Sequence, residues 1–187
     1  MSKPTPELYE AALRVLYYLE RHKSIGLRYG KGNTSLSGMS DSDWAVKHST
    51  SGSIFTLQHA AISWGSKKQS TVALSSCEAE LYAGSEAAKE AVYLGAFLEE
   101  LGLGTNTPIP LAMDNKAGID LAYNPEHHQK TKHIERRHYF LREMVEHQRL
   151  SVPYVASADN DADIFTKPLQ ASAFYPLRNR IMNVSRQ

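Results

Sequence analysis

Carboxylates at four separate places carry the chemical signal of this sequence. Asp41 and Asp43 fall at the end of a strand-like run and, being two apart, share one face. Asp114 follows the apolar run Ile109 to Met113, where a strand gives way to a helix, a position at which open α/β sheets collect ligands. Asp114 can equally be a helix N-cap or a metal ligand. Glu78 and Glu80 open a long helical pattern. Glu80 heads Ala83, Ala87, Ala91, Leu94, Leu98 and Leu101, the stripe that a helix lays on a sheet, whereas Glu78 heads the wetter series Tyr82, Ser85, Lys89. Glu80 is therefore the inward carboxylate, and Glu78 is a favourable charge in the first helical turn. Asp159, Asp161 and Asp163 surround the start of a short helix, and periodicity does not choose among them. Oxygen ligands on separate elements, without a companion Cys, suit hard cations such as Mg²⁺. Two such ions about 3.5–4 Å apart activate water and stabilise the leaving oxygen in phosphodiester cleavage.

The chain has 187 residues, enough for one ordinary domain with a short appendage. Its 42% hydrophobic and 22% charged residues describe a globular protein. The single cysteine, Cys77, excludes a disulfide framework and a cysteine-based zinc site. No apolar run is long enough to span a bilayer and no export leader is recognisable, so an intracellular location is expected. Net charge is only +1, but Lys130, Lys132, Arg136, Arg137 and Arg142 cluster with His127, His128, His133 and His138. Such a patch can grip phosphates, and it can equally be a solvated helix face. The histidines lack companions at a zinc spacing.

The elements that would position these groups are legible in outline. Residues 4–21 carry apolar side chains at helical spacing, with Thr5 as cap and Pro6 in the first turn. Tyr29 to Asn33 reads as a linker. Strand-like runs follow near 36–42, 53–57 and 60–66, the last two joined by the short connection Gln58-His59. A helix is expected over 76–101, ended by Gly102, then a strand at 108–113 and a helix at 114–123. A basic helix at 132–147, a strand at 150–155, a short helix at 159–166 and a last one at 173–181 complete the pattern. Three strands in meander, then alternating helices and strands, predict an α/β fold with a five-stranded sheet flanked by helices.

Eight ordered blocks then become informative together. They are Ser40-Asp41-Ser42-Asp43-Trp44-Ala45, Ser49-Thr50-Ser51-Gly52, Ile62-Ser63-Trp64, Ser66-Lys67-Lys68-Gln69-Ser70 and Ser75-Ser76-Cys77-Glu78-Ala79-Glu80. Met113-Asp114-Asn115-Lys116, Lys130-Thr131-Lys132-His133-Ile134-Glu135 and residues Ala162 to Leu169 follow. They resemble the ribonuclease H domain of copia-type long-terminal-repeat retrotransposons, over residues 4–169. The resemblance implies a ribonuclease H-like fold, with a mixed sheet of three antiparallel strands and then two parallel ones. It divides the chain into 1–30, similar to a reverse transcriptase tail, a ribonuclease H domain at 31–170, and a tail at 171–187.

The same resemblance implies Asp41, Glu80, Asp114 and Asp163 as catalytic metal ligands for two Mg²⁺ ions, with Mn²⁺ as a substitute. The implied reaction is hydrolysis of the RNA strand of RNA·DNA hybrids during reverse transcription. The implied partners are the hybrid and the reverse transcriptase of the same polyprotein, in a cytoplasmic virus-like particle if the element is active. Ser76, Asn115 and Gln69 become candidates for 2′-hydroxyl contacts. Lys67, Lys68, Lys130, Lys132, His133 and Arg136 become candidates for gripping phosphates. The chain departs from the family in a shorter 44–49 segment and in Met39, Cys77 and Glu135, and it lacks over 155–163 the His that cellular ribonucleases H often carry before the fourth carboxylate. All four carboxylates are intact, which argues against decay to a non-catalytic nucleic-acid-binding module, while a module of the same fold that only supports the reverse transcriptase stays open as the alternative.

Overall fold

The computed structural model describes residues 3–30, 35–104, 106–123 and 135–184, with backbone alone over 135–138. Helix α1 (Pro6–Arg21) starts as its sequence predicts, with the Thr5 hydroxyl accepting from Leu8 N and Pro6 at the first position. Its apolar stripe, however, buries no residue. Strands β1 (Ser37–Asp43), β2 (Thr50–Leu57) and β3 (Ala60–Lys68) form an antiparallel meander. Gln58 and His59 turn between β2 and β3 with φ of 52° and 68°, the left-handed pair that a two-residue hairpin requires.

Helix α2 (Ser76–Glu100) is capped by Ser75, whose hydroxyl accepts from Glu78 N. It ends at Gly102, whose φ of +72° lets Gly102 N and Leu103 N donate to Glu99 O and Leu98 O. Strand β4 (Ile109–Ala112), helix α3 (Lys116–Tyr123), helix α4 (Glu135–Glu146) and strand β5 (Leu150–Ser151) follow. The sheet order is β3-β2-β1-β4-β5, with β1·β4 and β4·β5 parallel. This is the expected mixed sheet. The last strand is shorter than expected, although an isolated bridge between Met113 and Tyr154 continues its direction.

The two faces of the sheet are covered differently. Leu36, Phe55 and Leu111 pack with Leu81, Ala87, Ala88 and Ala91 of α2 and with Leu141 of α4. On the other face, Ile54 and Ala61 meet Ala162 and Ile181. There the short helix expected at 159–166 is two 3₁₀ turns, Ser157–Asp159 and Asp161–Phe165. Helix α5 (Ala171–Ile181) follows, and Ile181 near its end is part of that core. Arg28 N donates to Met182 O and Asn183 Nδ2 to Arg28 O, so the segment after α1 is fastened to the end of α5. Tyr29 Oη also donates to Ala61 O, which ties the expected linker to β3.

Candidate active site

The parallel register of β1 and β4 builds the centre of the site. Met39 pairs with Ala112, so two residues further along each strand direction Asp41 and Asp114 come side by side. The first turns of α2 bring Glu80 over the same strand end. Carboxylate oxygens of Asp41, Glu80 and Asp114 all lie within 4.8 Å of one another. Asp41 is 4% exposed and Glu80 7%. Asp114 is only partly buried and opens the cluster to solvent.

Each carboxylate has distinct support. Ser42 points to the α2 side and donates to Glu80 Oε1 twice, from its hydroxyl at 2.9 Å and its backbone N–H at 3.2 Å. Glu80 Oε2 is buried without a hydrogen-bond partner. Burial pushes the Glu80 carboxyl up to about 8, and the charges of Asp41 and Asp114 add to this, while the Ser42 bonds oppose it. Burial likewise pushes Asp41 up to about 6, against a hydrogen bond from Thr166 and with help from Asp114 and Asp163. Three crowded carboxylates, one with an orphaned oxygen, form a donor set that a cation would satisfy. All donors are hard oxygens, which fits Mg²⁺ or Mn²⁺.

Asp163 stands just outside that trio. Its carboxylate pairs with Lys167 Nζ at 2.5 Å, and it is near enough to raise the Asp41 pKa. Burial works against the charge on Lys167, but the bond to Asp163 and the charges of Asp163, Asp41 and Asp43 raise its pKa. Thr166 donates to Asp41 Oδ2 at 2.6 Å. Gly52, the Asp41 partner on β2, makes room for this turn. A Cβ there would stand 2.7 Å from both Ala162 O and Thr166 Cγ2.

The helix caps fall on neighbours of the candidate aspartates. Asn115 Oδ1 accepts from Gly118 N, so Asn115 caps α3 and Asp114 is free of that duty. The helix accordingly begins at Lys116. Asn160 accepts from Ala162 N and caps the 3₁₀ turn, which none of the three neighbouring aspartates does. Asp159 and Asp161 pair with Arg180, whereas Asp163 pairs with Lys167. Glu78 Oε2 accepts from Leu74 N, the first-turn role expected of it.

Some expectations need correction. Gln69 is 2% exposed, and its amide nitrogen donates to Ser51 Oγ and Ala79 O, so it braces β2 against α2 and cannot reach a nucleic acid. Ser85 belongs to the supposedly wet stripe but is buried, and Leu101, assigned to the inward stripe, is exposed. Lys67, Lys68 and Ser76 are exposed, and Asn115 is partly so. Lys67 and Lys68 sit in the same cross-strand rows as Ser42 and Asp43, two strands away. Lys130, Lys132 and His133 lie outside the described residues, as does the Arg136 side chain. Sequence reasoning missed Ser42, Thr166 and Lys167 as supports. The latter two follow Asp163 by three and four residues, the spacing that was available to find them.

Comparison with protein-family models finds no match. Among solved structures, the LC11 ribonuclease H1, isolated from compost by a metagenomic approach, superposes with a TM-score of 0.55 at 12% identity, over 71% of this chain and 93% of that one. Ribonuclease H1 of the halophilic archaeon Halobacterium salinarum does so with a TM-score of 0.51 at 16% identity, over 71% and 94%. The fold is therefore that of ribonuclease H. By sequence the chain belongs with the retrovirus-related Pol polyproteins of transposons, as their ribonuclease H domain. It is 37% identical over 178 residues to the polyprotein of transposon TNT 1-94 of Nicotiana tabacum, covering 93% of this chain. It is 38% identical over 186 residues to that of transposon RE1 of Arabidopsis thaliana, covering 97%. The chain spans 13% of the length of each polyprotein. It is also 48% identical over 98 residues to the secreted RxLR effector protein 161 of Plasmopara viticola, half of this chain and 69% of that protein. No described helix is long and apolar enough to cross a membrane.

Proposed function

We propose that this chain is an endonuclease that hydrolyses the RNA strand of RNA·DNA hybrids during the reverse transcription of a copia-type retrotransposon. The observation that carries this reading is the convergence of Asp41, Glu80 and Asp114 at one strand end of a ribonuclease H fold. Asp41, Glu80 and Asp114 would hold two Mg²⁺ ions, with Asp163 as the fourth ligand. Bound there, the ions supply Lewis acidity that eases deprotonation of water and neutralises charge on the phosphodiester. Water adds to phosphorus in line as it gives up a proton, the bond to O3′ breaks, and O3′ takes up a proton from solvent, leaving a 5′-phosphate and a 3′-hydroxyl.

The chain's own residues fix the geometry of that reaction. Thr166 and Ser42 hold Asp41 and Glu80 in place, and Lys167 restrains Asp163. Ser76 and Asn115 contact 2′-hydroxyls and so select RNA. Lys67 and Lys68, with Lys130, Lys132, His133 and Arg136, grip phosphates without reading bases. The domain lies at 31–170, residues 1–30 continue from a reverse transcriptase, and that enzyme presents the hybrid within a cytoplasmic virus-like particle.

A labelled hybrid tests the reading. Mg²⁺ or Mn²⁺ should give shortened RNA and an intact DNA strand, and EDTA should abolish cleavage. Cleavage that survives EDTA, or none with either metal, would overturn the proposal.

A further inference from the structure

Between α1 and α5 lies a groove of about 720 Å³, separate from the carboxylate cluster and reaching it at Lys167. Its cations are Arg14, Arg21 and Lys167. Its aromatic walls are Tyr17 and Tyr18 from α1 and Phe174 and Tyr175 from α5. No Asp or Glu lines it among the described residues. Arg14, Tyr18 and Arg21 follow one another by four and three residues, so they share one face of α1, with the two guanidinium stems about 10 Å apart along the axis.

The aromatic groups are ordered by contact with one another. Tyr18 stacks on His22 with ring centroids 4.6 Å apart and meets Phe174 edge-on at 5.7 Å. Tyr17 remains largely exposed at the mouth. Cations that follow a backbone, together with aromatic faces on which bases stack, are the two requirements for holding a single strand without sequence preference. Val15, Ile164, Pro168, Leu169 and Ala171 complete the lining, so the groove offers apolar surface and cations but no carboxylate to a basic partner.

We propose that this groove binds a single-stranded nucleic-acid segment, the unpaired extension of a hybrid whose duplex part occupies the carboxylate cluster. Lys167 is the link. It pairs with Asp163 on the cluster side and lines the groove on the other, so a strand leaving the cluster passes it on the way to Arg14 and Arg21. The inference rests on the nuclease reading only for where the strand comes from.

Fluorescence anisotropy of labelled oligothymidylate, with EDTA present, measures the groove without cleavage. The parent chain should bind, and Arg14→Gln with Arg21→Gln should reduce the magnitude of the log–log salt slope by about 1.4, two contacts at about 0.7 each on a single strand. Tyr17→Ala should weaken binding about fivefold or more, the lower end of a lost base stack. Arg14→Lys with Arg21→Lys should keep the parent slope. Because Arg14, Tyr17 and Arg21 are exposed, thermal unfolding should be unchanged in all these variants. In the Asp114→Asn background, a hybrid with a single-stranded extension should bind more tightly than a blunt one, and the Gln pair should erase that difference alone. Parent chain that does not bind oligothymidylate, or a Gln pair that binds like the parent, overturns the proposal. So does self-association dissolved by the Gln pair without effect on the oligonucleotide, which gives the groove to a second copy. Loss of hybrid cleavage with oligothymidylate binding intact would count against the nuclease reading and leave the groove standing.

Discussion

Thr166 donates its hydroxyl to Asp41 Oδ2 at 2.6 Å, joining residues 125 positions apart. The same hydroxyl contacts Asp163 O at 3.0 Å, so one side chain aligns the β1 carboxylate with the turn that carries Asp163. Thr166→Val keeps the shape and removes this alignment. Loss of such a supporting bond costs about 10–100-fold in metal affinity or activity. Isothermal titration with Mg²⁺ and hybrid cleavage should both show a loss in that range, and Thr166→Ser should recover most of it. Unchanged affinity and turnover in the Val variant would remove Thr166 from the site.

Glu78 and Glu80 are two residues apart on α2 and should behave as opposites. Glu80→Gln removes a carboxylate of the cluster and should abolish Mg²⁺-dependent cleavage with the fold retained. Glu78→Gln weakens only the bond to Leu74 N at the helix start, and should cost about 0.5–1 kcal/mol of stability with normal turnover. Cleavage assays and thermal unfolding of both variants decide the matter. Inverted phenotypes would mean that the helix presents the other face to the site.

The pH dependence of the metal-free protein follows from the two raised pKa values. Asp41 at about 6 and Glu80 at about 8 lie above the ordinary carboxyl values of 3.8 and 4.5. Between roughly pH 4 and 8 the native state therefore holds more protons than the unfolded state, and stability falls as pH rises through that window. A divalent cation bound at the proposed site would replace those protons. With EDTA the melting temperature should drop from pH 5.5 to pH 8.5, and the rise produced by Mg²⁺ should grow over the same interval. A Mg²⁺ effect independent of pH would show that the cation binds away from Asp41 and Glu80.

How much of this was legible depended on whether a local pattern had one meaning. The hairpin at Gln58-His59 was readable because two short runs with two residues between them leave few alternatives. Asp114 was not, because Asn115 beside it is an equally good cap and only the Asn115–Gly118 bond decides between them. The three aspartates at 159, 161 and 163 defeated periodicity because their segment is 3₁₀, with three residues per turn, and is capped by Asn160. Ser85 looked wet because a stripe argument assumes one buried face, whereas α2 meets the sheet, α3 and α4. Gln69 looked like a ligand contact, since nothing local foretells bonds to Ser51 and Ala79. The α1 stripe was read correctly as amphipathic, but amphipathicity does not name a partner, and among the described residues the stripe buries nothing.

Gly52 is where sheet packing and the site are most directly coupled. It pairs with Asp41 across β1 and β2, and the turn bearing Ala162, Phe165 and Thr166 lies against its Cα. In Gly52→Ala the new methyl would meet Ala162 O and Thr166 Cγ2 at 2.7 Å and Phe165 Cβ at 3.1 Å. The first of these is backbone and does not yield by a rotamer change, so the turn must move away from the sheet. Overpacking of this kind costs about 1–3 kcal/mol. Movement of the turn also draws Thr166 away from Asp41 and Asp163 away from the cluster. Gly52→Ala should therefore lose both stability and Mg²⁺ affinity, whereas Gly65→Ala, on β3 with only Ser53 Oγ nearby at 3.3 Å, should lose little of either. Denaturant unfolding and Mg²⁺ titration of the two variants separate the effects. A Gly52→Ala chain that is destabilised but binds Mg²⁺ like the parent would mean that the turn and its aspartate are dispensable for holding the metal.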